Sequence, residues 1–73
     1  MSDIDQLISI IVPVFNESES IGFLLDEIIN VMSLYKFNFE LIVVNDGSKD
    51  NTLQVLKQLT LKIKELSVIS LRK

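Results

Sequence analysis

The chain reads as an α/β domain with the element order β-α-β-α-β and a parallel sheet. Three observations on its 73 residues point there. Two apolar runs rich in β-branched residues are nearly continuous rather than alternating, as in strands covered on both faces. Between and after these runs the apolar spacing switches to the 3.6-residue period of amphipathic helices. Each run is followed by a short, polar, acid-bearing loop that leads into a helix start.

The first strand is Leu7-Ile8-Ser9-Ile10-Ile11-Val12-Pro13-Val14. Pro13 has no N–H to give to a ladder, so it belongs near the strand's end or beside a bulge. The first helix is expected from about Ser18 to Leu34, with Ile21, Leu24, Leu25, Ile28, Met32 and Tyr35 on one stripe. Asn16 followed by Glu19 has the spacing of a helix N-cap and its capping partner. The second strand is Phe39-Glu40-Leu41-Ile42-Val43-Val44. The second helix is expected from about Asn51 to Glu65, with Leu53, Leu56, Leu59, Ile63 and Leu66 inward and Ser48 or Asp50 as its cap. Leu66-Ser67-Val68-Ile69-Ser70-Leu71 is a third, weaker strand. Strands that alternate with helices of this length imply right-handed crossovers. The apolar run reaches almost to Lys73 with no closing element, so residues 1–73 read as one incomplete domain.

Composition narrows the chemistry. The chain has no Cys and no His, which removes disulfides, thiolate nucleophiles, imidazole bases and an ordinary zinc site. A metal would need carboxylate oxygens. Seven basic and ten acidic residues give a net charge of −3 with no basic block, so nucleic acid is not an expected partner. No apolar run approaches the ~20 residues that span a bilayer. The acidic start, Met1-Ser2-Asp3-Ile4-Asp5, is unlike a secretory signal, and the expected location is the cytoplasm.

Open parallel sheets bind ligands outside the carboxyl ends of their strands. The two loops there are Val14-Phe15-Asn16-Glu17-Ser18 and Asn45-Asp46-Gly47-Ser48-Lys49-Asp50. Neither contains a Gly-x-Gly-x-x-Gly turn or a Gly-Lys-Ser/Thr P-loop, so no glycine nest cradles a phosphate. What they offer is carboxylates and amides: Asn16, Glu17, Asn45 and Asp46. Carboxylates accept hydrogen bonds from N–H and O–H donors. A nucleobase imide and a ribose diol are such donors, whereas a phosphate beside these acids needs a bridging cation. Plainer roles stand beside these: Asn16 and Glu17 as helix caps, Asp46-Gly47 as a tight turn, Ser48 and Asp50 as caps, Phe15 as core.

Taken together, Ser9-Ile10-Ile11-Val12-Pro13-Val14-Phe15-Asn16-Glu17 and Phe39-Glu40-Leu41-Ile42-Val43-Val44-Asn45-Asp46-Gly47-Ser48, with Asp50 and Thr52, resemble the opening of the family 2 glycosyltransferases. The likeness is to the polyprenyl-phosphate (dolichol-phosphate mannose-like) branch and runs from about Ser9 to Arg72. It implies the N-terminal, nucleotide-sugar-binding part of a GT-A (Rossmann-like) domain. By the same resemblance, Pro13 and Phe15 wall the base, and Glu17 accepts from the ribose hydroxyls. Asp46 accepts from a base N–H, most naturally the uracil imide, and Ser48 closes the loop or caps the next helix. Asn45 stands where many members carry a first aspartate, and Phe15 where a tyrosine is frequent.

The family's Asp-x-Asp, which holds Mg²⁺ or Mn²⁺ against the donor diphosphate, is expected beyond the C-terminus. No catalytic or metal residue is therefore expected within the chain, and Asp3 and Asp5 precede the first strand at the opposite edge. The implied activity of the parent is inverting transfer from a UDP-sugar, or a GDP-sugar, to a polyprenyl phosphate or glycan acceptor. C-terminal segments of the parent would anchor it to the cytoplasmic face of a membrane. The 73 residues alone are expected to be inactive and, with an unpaired strand edge, to self-associate. Two other readings compete: a stand-alone flavodoxin- or receiver-like binding module, and an α/β segment whose acids only cap and turn.

Overall fold

The structure, a computed structural model, describes residues 6–71. Asp3 and Asp5, and Arg72 at the far end of the family likeness, lie outside the described residues. The elements are β1 (Leu7–Val14), α1 (Ile21–Leu34), β2 (Asn38–Asp46), α2 (Thr52–Thr60) and β3 (Leu66–Leu71). The three strands form one parallel sheet in the order β1-β2-β3. The α/β class and the β-α-β-α-β order are those expected. Leu41 is the centre of the register, level with Ile10 on one side and Leu66 on the other.

This strand order decides where the core sits. Two successive crossovers of the same right-handed sense place both helices on one face of the sheet. The pleat sends Phe39, Leu41, Val43 and Asn45 of β2 toward that face, and all four are buried. Ile21, Leu25 and Met32 of α1 and Leu56 of α2 complete the core with them. Leu25, Leu41 and Leu56 are fully buried, each contributing on the order of 1.5–3 kcal/mol by leaving water.

The opposite face differs from the expectation of strands covered on both sides. There Ile11 is 65% exposed, Leu7, Ile69 and Leu71 are exposed, and Ile42 and Val44 are only half-buried. The apolar runs were continuous because this second face is also apolar, although nothing among the described residues packs on it.

Four boundaries and stripe positions also differ. α1 starts at Ile21 rather than Ser18, after a turn in which the Ser20 and Ile21 N–H groups both donate to the Glu17 carbonyl. Asn16 and Glu19 form no capping box. Asn16 has φ 53°, the left-handed region that Asn tolerates better than most residues, and its side chain is engaged elsewhere. α2 ends at Thr60 rather than Glu65. Its last turn tightens onto the Gln58 and Leu59 carbonyls, and the Glu65 carbonyl is already taken by the Leu41 N–H of the sheet at 2.8 Å. On the predicted α1 stripe, Leu24 and Tyr35 are exposed, because the sheet is too narrow to cover a full apolar arc.

The exit from α1 has its own local logic. Lys36 takes φ 60°; its N–H donates to the Ser33 carbonyl and the Phe37 N–H to the Met32 carbonyl at 3.0 Å. This is the Schellman closure, in which the left-handed position usually belongs to glycine. It turns the chain directly into β2.

Candidate functional site

Parallel register brings the carboxyl ends of β1, β2 and β3 to one edge, at Val14, Asp46 and Leu71. The loop after β1 and the loop after β2 therefore lie side by side. Gly47 turns the second of them with φ 70°, a conformation open to glycine at no steric cost.

The two loops are tied together through side chains. The Asn16 N–H donates to Ser48 Oγ at 2.8 Å, and the Glu17 N–H donates to Thr52 Oγ1 at 2.9 Å. In return, Asn16 Oδ1 accepts from the N–H of Lys49 at 2.7 Å and of Asp50 at 3.3 Å. A longer bond runs from the Ser18 N–H to Asp50 Oδ2 at 3.4 Å. Ser, Thr, Asn and Asp are the residues that bind nearby main chain this way, and here they do so across loops rather than within one.

Beneath this clasp the side chains support one another. The Ser48 hydroxyl donates to Asn45 Oδ1. Asn45 is 2% exposed and sits on the helix-covered face, so this bond satisfies a buried acceptor. Thr52 is fully buried, and its hydroxyl donates to Asp50 Oδ1, which also accepts the Thr52 N–H at 2.9 Å. Asp50 thus caps the start of α2, one of the two caps expected, and puts a negative charge at the positive end of the helix dipole. Its pKa is lowered, above all by the Thr52 hydroxyl; desolvation opposes this, and the Thr52 and Ser18 N–H groups reinforce the lowering.

The remaining predicted residues have a different setting. Pro13 is paired with Val44, one residue from the end of β1, and is exposed. Phe15 is 53% exposed, so it is not core. Glu17 is exposed, and the Ser20 hydroxyl donates to its Oε2 at 2.7 Å. Asp46 is half-buried, one pleat beyond Val44 and on the face opposite Asn45. Adjacent residues Asn45 and Asp46 therefore serve opposite sides of the sheet.

Pro13, Phe15, Glu17, Asn45, Asp46 and Ser48 all come to this edge, but in two layers. Asn45 and Ser48 lie in the clasp, whereas Pro13, Phe15, Glu17 and Asp46 lie around it. The reading from sequence gave no role to Thr52 and left Asn16 as either a polar group at the ligand edge or a helix cap. The signal for Thr52 was the Ser-x-Asp-x-Thr spacing, three short polar side chains at the start of a helix. Among the described residues no group of three His, Cys, Asp or Glu side chains is placed to hold a metal ion.

Residues 9–73 match the family described as Glycosyl transferase family 2. The chain belongs to that family. Over 64 residues this family 2 chain is 33% identical to an uncharacterised glycosyltransferase of Synechocystis sp., covering 88% of this chain and 20% of that protein. Over 46 residues it is 46% identical to the dodecaprenyl-phosphate galacturonate synthase of Rhizobium johnstonii, covering 63% of this chain and 14% of that protein. Over 65 residues it is 35% identical to a dolichyl-phosphate beta-glucosyltransferase of Trichomonas vaginalis, covering 82% of this chain and 19% of that protein. The chain spans about a fifth or less of the length of these relatives. The family 2 match covers both loops and all six predicted site residues.

Proposed function

We propose that this edge of the sheet is the nucleoside-recognising front of a glycosyltransferase. The whole protein would transfer a sugar from a UDP- or GDP-sugar to a polyprenyl phosphate, with inversion at the anomeric carbon. The observation that carries the reading is the placement of Glu17 and Asp46. Glu17 follows β1 and Asp46 ends β2, so two carboxylates are held at one sheet edge, while the Lys49, Asp50 and Thr52 N–H groups on the way into α2 are already bonded within the protein. Such an edge favours donors of hydrogen bonds over phosphate oxygens. A nucleoside supplies those donors.

In this reading Asp46 accepts from the base N–H, and uracil offers an imide for it. Glu17, steadied by Ser20, accepts from a ribose hydroxyl. Pro13 and the exposed ring of Phe15 form a wall beside the base. Asn45 and Ser48 contribute by fixing the loop that carries Asp46. In this reading a Mg²⁺ or Mn²⁺ ion neutralises the donor diphosphate. That ion and the acceptor belong, in the same reading, to parts of the protein outside these 73 residues. The relatives named for polyprenyl carriers favour a lipid-phosphate acceptor, and the reading extends to action at the cytoplasmic face of a membrane. No helix among the described residues is long and apolar enough to cross one.

The test is an amide ¹H–¹⁵N titration of the chain with UDP and then GDP, each with and without Mg²⁺. Selective shifts at Phe15, Glu17, Asp46 and Gly47 are expected, larger with UDP. Asp46→Ala should weaken binding by about tenfold or more, as loss of a hydrogen bond to a charged group does. A folded Asp46→Ala chain with unchanged affinity would remove Asp46 from the site. A dispersed spectrum that ignores both nucleotides at millimolar concentration would sink the reading for this chain.

A further inference from the structure

The residue between Phe15 and Glu17 does more than join them. Asn16 crosses to the second loop with both its main chain and its side chain. Its N–H donates to Ser48 Oγ, and its Oδ1 accepts from the Lys49 and Asp50 N–H groups. Its φ of 53° places it in the left-handed region, which turns the chain so that these bonds form together. Side-chain size does not explain the arrangement, because Asn16 is exposed. What the position demands is a left-handed backbone and an acceptor reaching two amides at once. Asn supplies both; Gly supplies only the first, and Ala neither.

The flanking residues give this a functional consequence. Phe15 and Glu17 are the groups proposed above to meet base and ribose, while Lys49 and Asp50 follow the turn that carries Asp46. The distance between the two halves of the nucleoside site is therefore set at Asn16. The same bonds occupy the Lys49 and Asp50 N–H groups of the loop that enters α2, which would otherwise be open to a phosphate. We propose that Asn16 is a positioning residue that sets the spacing of Glu17 and Asp46 for a nucleoside and closes the Lys49 and Asp50 amides to the diphosphate. This rests on the nucleoside-binding reading of the edge. It follows that affinity depends on the Asn16 acceptor and not on the residue's bulk.

The experiment compares wild type, Asn16→Gly and Asn16→Asp in three readouts. They are thermal unfolding by circular dichroism, amide hydrogen exchange at Lys49 and Asp50, and affinity for UMP and UDP by NMR titration. Asn16→Gly keeps the backbone conformation and removes the acceptor. It should speed exchange at Lys49 and Asp50 and weaken UMP by about tenfold at a temperature where the chain is fully folded. Asn16→Asp keeps an acceptor and should restore slow exchange and UMP affinity to within about threefold of wild type. UDP should gain little over UMP in wild type, and more in Asn16→Gly, where the Lys49 and Asp50 amides are released. If Asn16→Gly does not fold, Ser48→Ala removes the partner of the Asn16 N–H, together with the donor to Asn45 Oδ1, keeps the Asn16 acceptor on Lys49 and Asp50, and should give a smaller loss of UMP affinity.

A folded Asn16→Gly chain that binds UMP like wild type overturns the positioning role and leaves the nucleoside reading standing. Loss of affinity that Asn16→Asp does not restore overturns it as well. Wild type that binds neither nucleotide overturns both readings together.

Discussion

Replacing Thr52 by Val isolates the second tie between the two loops. The substitution nearly preserves the buried volume and removes one hydroxyl. That hydroxyl accepts the Glu17 N–H at 2.9 Å and donates to Asp50. Thr52 has no exposed surface, so the loss is not met by solvent from its own side. A buried N–H left without an acceptor costs about 1–3 kcal/mol. Glu17 itself is exposed, so water reaches its N–H in part, and about 1–2 kcal/mol is the expected loss. A chain of this size has a total stability of about 4–11 kcal/mol, so the change is a large share of it. For a domain of 60–100 residues it corresponds to a melting temperature lower by roughly 4–16 °C.

The assay is thermal unfolding followed by far-ultraviolet circular dichroism, with Thr52→Ser as control. Ser keeps the hydroxyl and loses a methyl, so it should recover much of the loss. A Thr52→Val chain that melts within about 1 °C of wild type would refute the argument. It would mean that the Glu17 N–H finds water at no cost and that the clasp adds nothing to stability. A Ser variant as unstable as the Val variant would shift the cause to packing of the methyl.

Three further outcomes can be checked. Lys36→Gly should raise the melting temperature by about 2–8 °C, because glycine relieves about 1–2 kcal/mol of left-handed strain and gives part back as unfolded-chain entropy. The folded-state pKa of Asp50 lies below its unfolded value, so folding favours the ionised form. Its contribution is complete above the unfolded value and is lost as pH falls through the folded one. The difference in melting temperature between wild type and Asp50→Asn should therefore be constant above about pH 5 and shrink below about pH 4. Finally, the 73-residue chain should self-associate through the open sheet face and edge, and Ile11→Lys should reduce this. Sedimentation that shows a monomer at every concentration would remove that expectation.

Much of the architecture was readable from local pattern because strands and helices announce themselves by period. β1 and β3 have the bounds their apolar runs suggested, and Gly47 makes the sharp turn that the Asp46-Gly47 pair suggested. The helix ends were less readable. Asn16 and Glu19 carry the spacing of a capping box, yet Asn16 is claimed by amides 33 and 34 positions away, a competition no local window displays. Ile63 continues the α2 stripe, but the helix closes at Thr60, where the Leu61, Lys62 and Ile63 N–H groups fold back onto the Gln58 and Leu59 carbonyls, and the chain then enters the sheet at Glu65. The six site residues share one edge because parallel topology sends both loops there. Their division into two layers was hidden, since it depends on the pleat parity of Asn45 and Asp46.

The clasp also has a place in time. Its five cross-loop hydrogen bonds among the described residues join positions 32 to 35 apart, on either side of an entire helix and strand. None can form until β1 and β2 are paired and α1 has crossed between them, because loop closure comes before any return from so distant a contact. The elements can therefore assemble before the edge is knit, and the edge can come undone while they persist. Substitutions at Asn16 or Thr52 should thus speed unfolding and leave the folding rate nearly unchanged. A chain still emerging from synthesis would hold its sheet before it could hold a ligand.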